Sequence, residues 1–384
     1  MKKSEIKKIP VLVALLLLLA AIILFSPLRD YQRSASLLLR MEDFAGRGWF
    51  AHFATYPVSE TIISVPTADG PVRARLYVPL GKHSPPGLAL LHGVHYLGID
   101  EPRLVRFARA FAQSGVAVLT PELKDLAGYQ IVPGSISVIG ASAHELRERT
   151  GRRVAVMGLS FAGGLALLAA ADGRYAPDIN AVVAVGAHDS LYRVAKFLVT
   201  GAAKGPDGTP APSAPEQYGA LVLVYEHPEE FFSASDVPAA RGAIWSWLAE
   251  KYDTARAGEA GLNPTDKATL EALFRYDMKT LRTQLLAEIE HDHAEFDKVS
   301  PEGRLGTLHV PVFLLHGYSD SVIPSTETLW LAREIPGDAR AAVLITPAMG
   351  HVDPNARLSP GERWQLINFM AQIFERLDAK KGSS

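Results

Sequence analysis

The hydrophobic positions of this chain fall into short runs separated by segments with helical spacing. Strand-like runs, rich in Val, Leu and Ala, lie at 61–65, 72–78, 87–91, 116–120, 153–157, 181–187, 311–315 and 341–346. Apolar residues with the spacing of a half-buried helix lie at 101–114, 135–149, 165–171, 325–334 and 360–377. The first two strands flank a turn at Asp69 and Gly70, which predicts a hairpin. The later alternation predicts a mostly parallel sheet with helices on both faces.

The alternation stops after residue 189. Residues 190–304 have helical and irregular character, and they open with a turn-rich segment at 205–210. We therefore predict one α/β domain formed by 60–189 and 305–378, with 190–304 as a helical insertion.

The N-terminus carries a separate apolar signal. Lys2, Lys3, Lys7 and Lys8 precede an unbroken apolar run at 11–25. With residues 9 and 10 the run covers about 26 Å as a helix, close to the thickness of a bilayer core. We predict a membrane anchor at 1–30, a linker at 31–59 and an extracytoplasmic domain attached to the membrane by this helix.

Two observations refine this expectation. A cleaved signal peptide is the alternative, with secretion as its consequence, but the end of the run is a poor cleavage site. The chain has no Asn-x-Ser/Thr acceptor, which favours a bacterial periplasm.

Composition excludes several classes of function. The 384 residues are 48% hydrophobic and 21% charged, as in a globular protein, and the net charge of -2 argues against nucleic-acid binding. The absence of cysteine excludes disulfides, thiolate nucleophiles and cysteine metal sites. The sequence leaves the oligomeric state open.

The main candidate for chemistry is Ser160. It lies in the sequence Gly-Leu-Ser-Phe-Ala-Gly-Gly at 158–164, between a predicted strand and a predicted helix. Small residues on both sides of a serine allow the sharp turn that presents a nucleophile. Ala162 stands where the common pattern has glycine. A buried serine that caps a helix is the structural alternative.

A nucleophilic serine needs a base and a carboxylate that orients the base. Asp320 follows the strand at 311–315, and His351 follows the last strand. The order Ser160, Asp320, His351 is the one expected for this arrangement.

Acyl transfer also needs backbone donors for the oxyanion. We predict the N–H of Phe161, directly after the serine, and a second N–H from the loop at 92–96 after a strand, with Val94 as the first choice and His95 as the second. His95 and Tyr96 are candidate substrate contacts.

These landmarks together resemble the α/β-hydrolase superfamily. They are His-Gly at 92–93, the serine turn at 158–163, the segment at 316–324 and Gly-His at 350–351. The resemblance covers about 60–378 without the insertion. It implies an eight-stranded sheet, with the helical insertion after the sixth strand as a lid over the site.

Two other groups of residues offer alternative chemistry. Asp189 also ends a predicted strand and is an alternative acid. Glu288, Glu290, His291, Asp292 and His293 suggest a metal site, but adjacent residues on a helix point in different directions, which favours a solvated charged end. We expect no metal and no organic cofactor.

The sequence therefore predicts a serine hydrolase acting on an ester or related acyl bond of a small molecule through an acyl-enzyme. A serine peptidase is the first alternative, since Gly163 and Gly164 also resemble peptidases of the superfamily. The second is a non-catalytic, membrane-tethered binding protein on a hydrolase fold.

Overall fold

A computed structural model describes residues 28–41, 55–351 and 358–379. It contains eight strands: β1 (Val58–Val65), β2 (Val72–Pro79), β3 (Gly87–Leu91), β4 (Ala117–Pro121), β5 (Val154–Leu159), β6 (Ile179–Val185), β7 (Val312–Gly317) and β8 (Arg340–Thr346). Each contains one of the runs predicted from the sequence or overlaps it closely.

The strands form one sheet in the order β1-β2-β4-β3-β5-β6-β7-β8. β1 and β2 form the predicted hairpin, and β2 is antiparallel to β4. The other pairs are parallel. Because β3 to β7 are covered on both faces, they are apolar at nearly every position rather than at alternate ones.

Helices cover both faces of the sheet. In chain order they are α1 (Leu28–Met41), α2 (Pro102–Gln113), α3 (Lys124–Ala127), α4 (Gly134–Thr150), α5 (Phe161–Ala171), α6 (Leu191–Thr200), α7 (Gln217–Glu226), α8 (Val237–Leu248), α9 (Tyr252–Ala257), α10 (Pro264–Phe274), α11 (Met278–His291), α12 (His293–Val299), α13 (Thr326–Glu334) and α14 (Pro360–Asp378). The sheet separates two cores. The first core contains residues of α4, α5 and the insertion, and the second core contains residues of α1, α2 and α14.

The insertion between β6 and β7 consists of α6 to α12, which we call the cap. Three of its helices begin at side-chain caps. The Ser190 hydroxyl accepts from Arg193 N–H, the Asn263 side chain accepts from two backbone N–H groups, and the Asp277 carboxylate accepts from Lys279 N–H. The apolar residues of the cap belong to the same core as α4 and α5.

Part of the predicted linker is an ordered helix. α1 packs on α14, and its Arg33 is buried over the Phe374 ring at 4.1 Å. Arg33 also donates to Asp378 at 2.7 Å and to the Ser114 carbonyl at 3.0 Å. These contacts attach α1 to the C-terminal ends of α14 and α2.

The predicted architecture needs correction at the N-terminus. Within 28–41, 55–351 and 358–379, no helix is both long and apolar enough to cross a membrane. The apolar run at 11–25 lies outside the described residues. The α/β sheet with its helical insertion is therefore the supported part of the predicted fold, and the transmembrane helix is not.

Candidate active site

Ser160 lies at the turn from β5 into α5. Its backbone has φ 57° and ψ -134°, a conformation that is costly for a residue with a side chain. The turn is possible because Gly158 lacks a side chain: a Cβ there would lie 2.3 Å from the Ala162 carbonyl oxygen. The strained turn thus presents the Ser160 hydroxyl at the carboxyl end of the sheet, where it lines a cavity.

The two glycines after the serine allow α5 to pack closely. A Cβ at Gly163 would lie 2.6 Å from the Ala187 methyl, and one at Gly164 would lie 2.4 Å from the His188 ring. Ala162, the departure from the common pattern, is fully buried in the core. The tight contacts are therefore met by Gly163 and Gly164.

The structure brings Ser160, His351 and Asp320 into one hydrogen-bonded chain. His351 Nε2 lies 2.7 Å from Ser160 Oγ, and His351 Nδ1 lies 2.5 Å from Asp320 Oδ2. Since a carboxylate only accepts, Nδ1 donates to Asp320 and Nε2 is left to accept the Ser160 proton. This is the geometry of a serine paired with a base and of a base paired with an orienting acid.

Asp320 is buried and held from several sides. Its Oδ1 accepts from the N–H groups of Val322 and Ile323 at 2.8 and 2.9 Å, and its Oδ2 lies 3.3 Å from His316 Nε2. Burial alone would raise the pKa of Asp320, but the charges and hydrogen bonds of His351 and His316 outweigh it and lower the pKa below its usual range. Asp320 is therefore ionised when it faces His351.

Asp189, the alternative acid, pairs with Arg193 rather than with His351. Its Oδ2 accepts from Arg193 at 2.6 Å, and Arg193 also donates to Glu327 at 3.0 Å. Burial and the neighbouring Glu327 raise the pKa of Asp189 to about 8, although Arg193 acts in the opposite direction. Asp189 thus belongs to the network that joins the start of the cap to α13.

The loop after β3 lies beside Ser160. A Cβ on Gly93 would approach Ser160 Cβ to 3.1 Å, so backbone passes close to the serine here. His92 is buried, its Nε2 accepts from Leu123 N–H at 3.0 Å, and its Nδ1 donates to the Gly93 carbonyl at 2.7 Å. Burial lowers the pKa of His92 to about 4, so a neutral ring fixes the peptide that precedes Val94.

Both predicted oxyanion donors line the same cavity as Ser160, a space of about 520 Å³. The Phe161 N–H belongs to the first residue of α5, where backbone donors have no partner within the helix. Val94 is half-buried in the loop described above.

The two candidate substrate contacts differ in position. His95 lines the cavity, and its Nδ1 accepts from Leu97 N–H at 3.2 Å. Tyr96 stacks on His95 with 4.9 Å between ring centroids and packs against the core. Among the described residues, Tyr96 is not part of the cavity wall, so its substrate contact stays a prediction.

Sequence reasoning missed Tyr218 and Gly186. Tyr218, on cap helix α7, donates its hydroxyl to the Val94 carbonyl at 3.0 Å and thus joins the cap to the loop beside Ser160. Gly186, after β6, has φ 61°, and a Cβ there would lie 2.9 Å from the His351 carbonyl oxygen. The strand-end position of Gly186 was a usable signal, whereas nothing in the sequence pairs Tyr218 with Val94.

One group in the described part of the cap could offer three ligand atoms to a metal ion. His227, Glu288 and Asp292 present such atoms within 4.8 Å of one another. The His227 ring lies 2.9 Å from Asp292 and 3.7 Å from Glu288, so the three side chains also form an ion-pair cluster. Of the five charged or histidine residues at 288–293 that suggested a metal site in the sequence, Glu288 and Asp292 belong to this group.

A match to a protein-family model shows to which family the chain belongs. A family model described as X-Pro dipeptidyl-peptidase (S15 family) matches residues 143–353, a span that contains Ser160, Asp320 and His351. The chain belongs to the S15 family. No curated protein sequence matches this S15-family chain.

Solved structures resemble the S15-family chain in fold. An acylaminoacyl peptidase from Pyrococcus horikoshii has a TM-score of 0.50 at 12% identity, over 87% of this chain and 44% of that one. An esterase from Pyrobaculum calidifontis has a TM-score of 0.47 at 17% identity, over 91% and 92%. A dienelactone hydrolase from Anabaena variabilis has a TM-score of 0.44 at 15% identity, over 83% and 97%.

The predicted superfamily and the enzymatic character are confirmed. This S15-family chain is an α/β-hydrolase of the serine hydrolase type. The bond that it cleaves and the roles of individual residues belong to the proposal that follows.

Proposed function

We propose that the protein hydrolyses an ester or related acyl bond of a small molecule, with Ser160 as nucleophile, His351 as general base and acid, and Asp320 as the group that orients His351. The observation that carries the proposal is the continuous chain from Asp320 Oδ2 through His351 to Ser160 Oγ, at 2.5 and 2.7 Å. It provides both a proton acceptor for the serine and a partner for the resulting imidazolium.

In the first half of the reaction, Ser160 Oγ bonds to the substrate carbonyl carbon while its proton moves to His351 Nε2. The bond from that carbon to the leaving oxygen then breaks, and His351 donates the proton to that oxygen, which departs as an alcohol. The product at this stage is an acyl-enzyme on Ser160. The ionised Asp320 stabilises the positive charge that His351 carries between these steps.

In the second half, water takes the place of the alcohol. His351 accepts a proton from the water as it bonds to the acyl carbon, and the proton passes to Ser160 Oγ as the acyl bond breaks. A carboxylic acid leaves. The N–H groups of Phe161 and Val94 stabilise the oxyanion in both halves, and a donor of this kind contributes about 2.7–4 kcal/mol to catalysis.

A serine peptidase is the second candidate. Two observations favour it: the family model that matches the chain is described as an X-Pro dipeptidyl-peptidase, and Glu101, Glu216 and Glu250 are among the residues that line the cavity of Ser160, against one arginine, Arg103. An excess of acidic residues suits the amino group at the end of a peptide.

A substrate panel separates the candidates. We expect purified full-length protein to hydrolyse p-nitrophenyl esters at a kcat/KM at least 100-fold above that for X-prolyl and aminoacyl p-nitroanilides, and Ser160→Ala to abolish both activities. The opposite preference would establish the peptidase. No hydrolysis of either class and no reaction with a fluorophosphonate would leave the non-catalytic binding protein.

A further inference from the structure

The cavity beside Ser160 is divided by polarity. Its volume of about 520 Å³ lies in the range of small-molecule sites. Charged and polar side chains line one part, among them Glu101, Arg103, Glu216 and Tyr218. The other part is apolar and lies against the second core, on the sheet face that carries α2 and α14.

Three strands form the floor of the apolar part. Met157 of β5, Val183 of β6 and Leu315 of β7 line it, and all three are buried in the second core. Met157, on β5, is three residues before Ser160, so the floor begins close to the nucleophile. Side chains of alternate residues face opposite sides of a sheet, which places this floor opposite α5.

Helices α2 and α14 form the walls. Leu104 and Phe107 contribute from α2, and Leu366, Phe369 and Met370 contribute from α14. Leucine, phenylalanine and methionine side chains offer no hydrogen-bonding groups that a polar ligand needs, and methionine adapts to an extended apolar chain.

Helix α1 completes the wall. Leu37, Leu38 and Met41 of α1 line the cavity, although they are far from Ser160 in sequence. The buried Arg33, paired with Asp378 at 2.7 Å, holds α1 against α14. α1 therefore has a defined position at the cavity, and its side chains can select a substrate.

We propose that this apolar part binds the alkyl chain of a long-chain acyl group, so that the substrates are esters of fatty acids rather than of short acids. The inference rests on the proposed function of Ser160. During turnover the acyl group stays bonded to Ser160 while the alcohol departs, and the apolar part suits the group that stays. The polar part, formed by Glu216 and Tyr218 of the cap and by Glu101 and Arg103 at the start of α2, suits an alcohol that leaves toward water.

Chain length gives the first test. Each buried methylene adds about fourfold to binding, so kcat/KM for p-nitrophenyl octanoate should exceed that for the acetate by roughly 100-fold or more. Leu38→Trp and Met41→Trp fill the space beside α1 and should reduce the octanoate-to-acetate ratio at least tenfold. Leu28→Trp, on the same helix at an exposed position outside the cavity wall, is the matched control and should leave the ratio unchanged.

A photoaffinity probe gives the second test and needs no variant. An alkyl fluorophosphonate with a diazirine at the chain end bonds through phosphorus to Ser160 Oγ as fluoride leaves, and light then links the chain end to its neighbours. Crosslinks in peptides from 28–41, 102–113 or 360–378 support the proposal. Crosslinks confined to the cap, 191–299, would overturn it.

The outcomes separate this inference from the proposed function. If acetate and octanoate are hydrolysed equally well and the tryptophan variants behave like Leu28→Trp, the alkyl-chain site is refuted while Ser160 remains the nucleophile. If neither the alkyl probe nor diisopropyl fluorophosphate labels Ser160, the proposed function itself fails. Circular dichroism and the melting temperature of each variant identify a loss caused by misfolding, and the wild-type crosslinks then decide.

Discussion

At the scale of single residues, the polar partners of the Asp320 carboxylate all favour its charged form. Two backbone N–H groups approach Oδ1, and the His351 and His316 rings approach Oδ2. Asp189 ends the neighbouring strand β6, yet its carboxylate faces Arg193 instead. Contact with His351 therefore distinguishes two buried aspartates that the sequence presents in similar positions.

Replacement of the acid tests this distinction. Asp320→Asn keeps an oxygen for the two backbone donors but offers an amide to His351, which favours the wrong tautomer. We expect kcat to fall roughly 10³- to 10⁴-fold in steady-state ester hydrolysis. Asp189→Asn is the matched control, with an expected loss of less than about fivefold. Equal losses in the two variants would contradict the assignment of Asp320.

At the scale of elements, the cap contacts the loop after β3 through α7. The Tyr218 hydroxyl donates to the Val94 carbonyl, while Gly93 of the same loop runs beside Ser160. We interpret Tyr218 as a positioning residue, because its contact is with the loop and the loop supplies a predicted oxyanion donor.

Tyr218→Phe removes this hydrogen bond and keeps the ring. A hydrogen bond of about 1 kcal/mol corresponds to a roughly fivefold fall in kcat, with little change in KM or melting temperature. Tyr225→Phe, about two turns further along α7 with its ring against Tyr129, is the control and should leave kcat unchanged. A lower melting temperature with unchanged kcat would show that Tyr218 acts on stability alone.

Glu226, at the end of α7, makes the stability of the cap depend on pH. Burial raises the pKa of Glu226 from 4.5 to about 7, while its Oε1 accepts from Ile131 N–H at 3.3 Å. The folded state binds this proton more tightly than the unfolded state, so the contribution of Glu226 is greatest below about pH 4.5 and is lost as pH rises to about 7.

The isosteric Glu226→Gln removes this dependence and keeps the acceptor for Ile131. We expect the free energy of unfolding of the variant to exceed that of wild type by about 1–3 kcal/mol at pH 8 and by little at pH 5, as measured by urea unfolding at both pH values. Glu229→Gln, at an exposed position in the next turn, should leave the free energy of unfolding unchanged at both pH values. An equal gain at both pH values would refute the titration of Glu226.

At the scale of the whole molecule, the sheet and the proximity of Asp320 and His351 to Ser160 could be predicted because their signals are local. Each buried parallel strand is a continuous apolar run, and the strand ends carry Ser160, Asp320 and His351. The wall formed by α1 could not be predicted. Its position depends on Arg33 reaching Asp378, and no local pattern joins residues so far apart in sequence. The contact between Tyr218 and Val94 escaped prediction for the same reason.

The predicted N-terminal transmembrane helix is the opposite case, because here a local signal led to a prediction that the structure does not support. A local apolar run at 11–25 was sufficient to predict it, yet the described helices include none that could span a membrane. α1, which begins directly after that region, packs on the α/β domain and lines the cavity of Ser160. The described N-terminal segment is thus part of the catalytic domain.

Covalent labelling of Ser160 tests the central claim most directly. Full-length protein treated with diisopropyl fluorophosphate and digested should yield one modified peptide, with the adduct on Ser160, and ester hydrolysis should be lost in proportion to labelling. Ser160→Ala should yield no adduct and no hydrolysis. An adduct on a different residue, or hydrolysis by Ser160→Ala at the wild-type rate, would contradict the account.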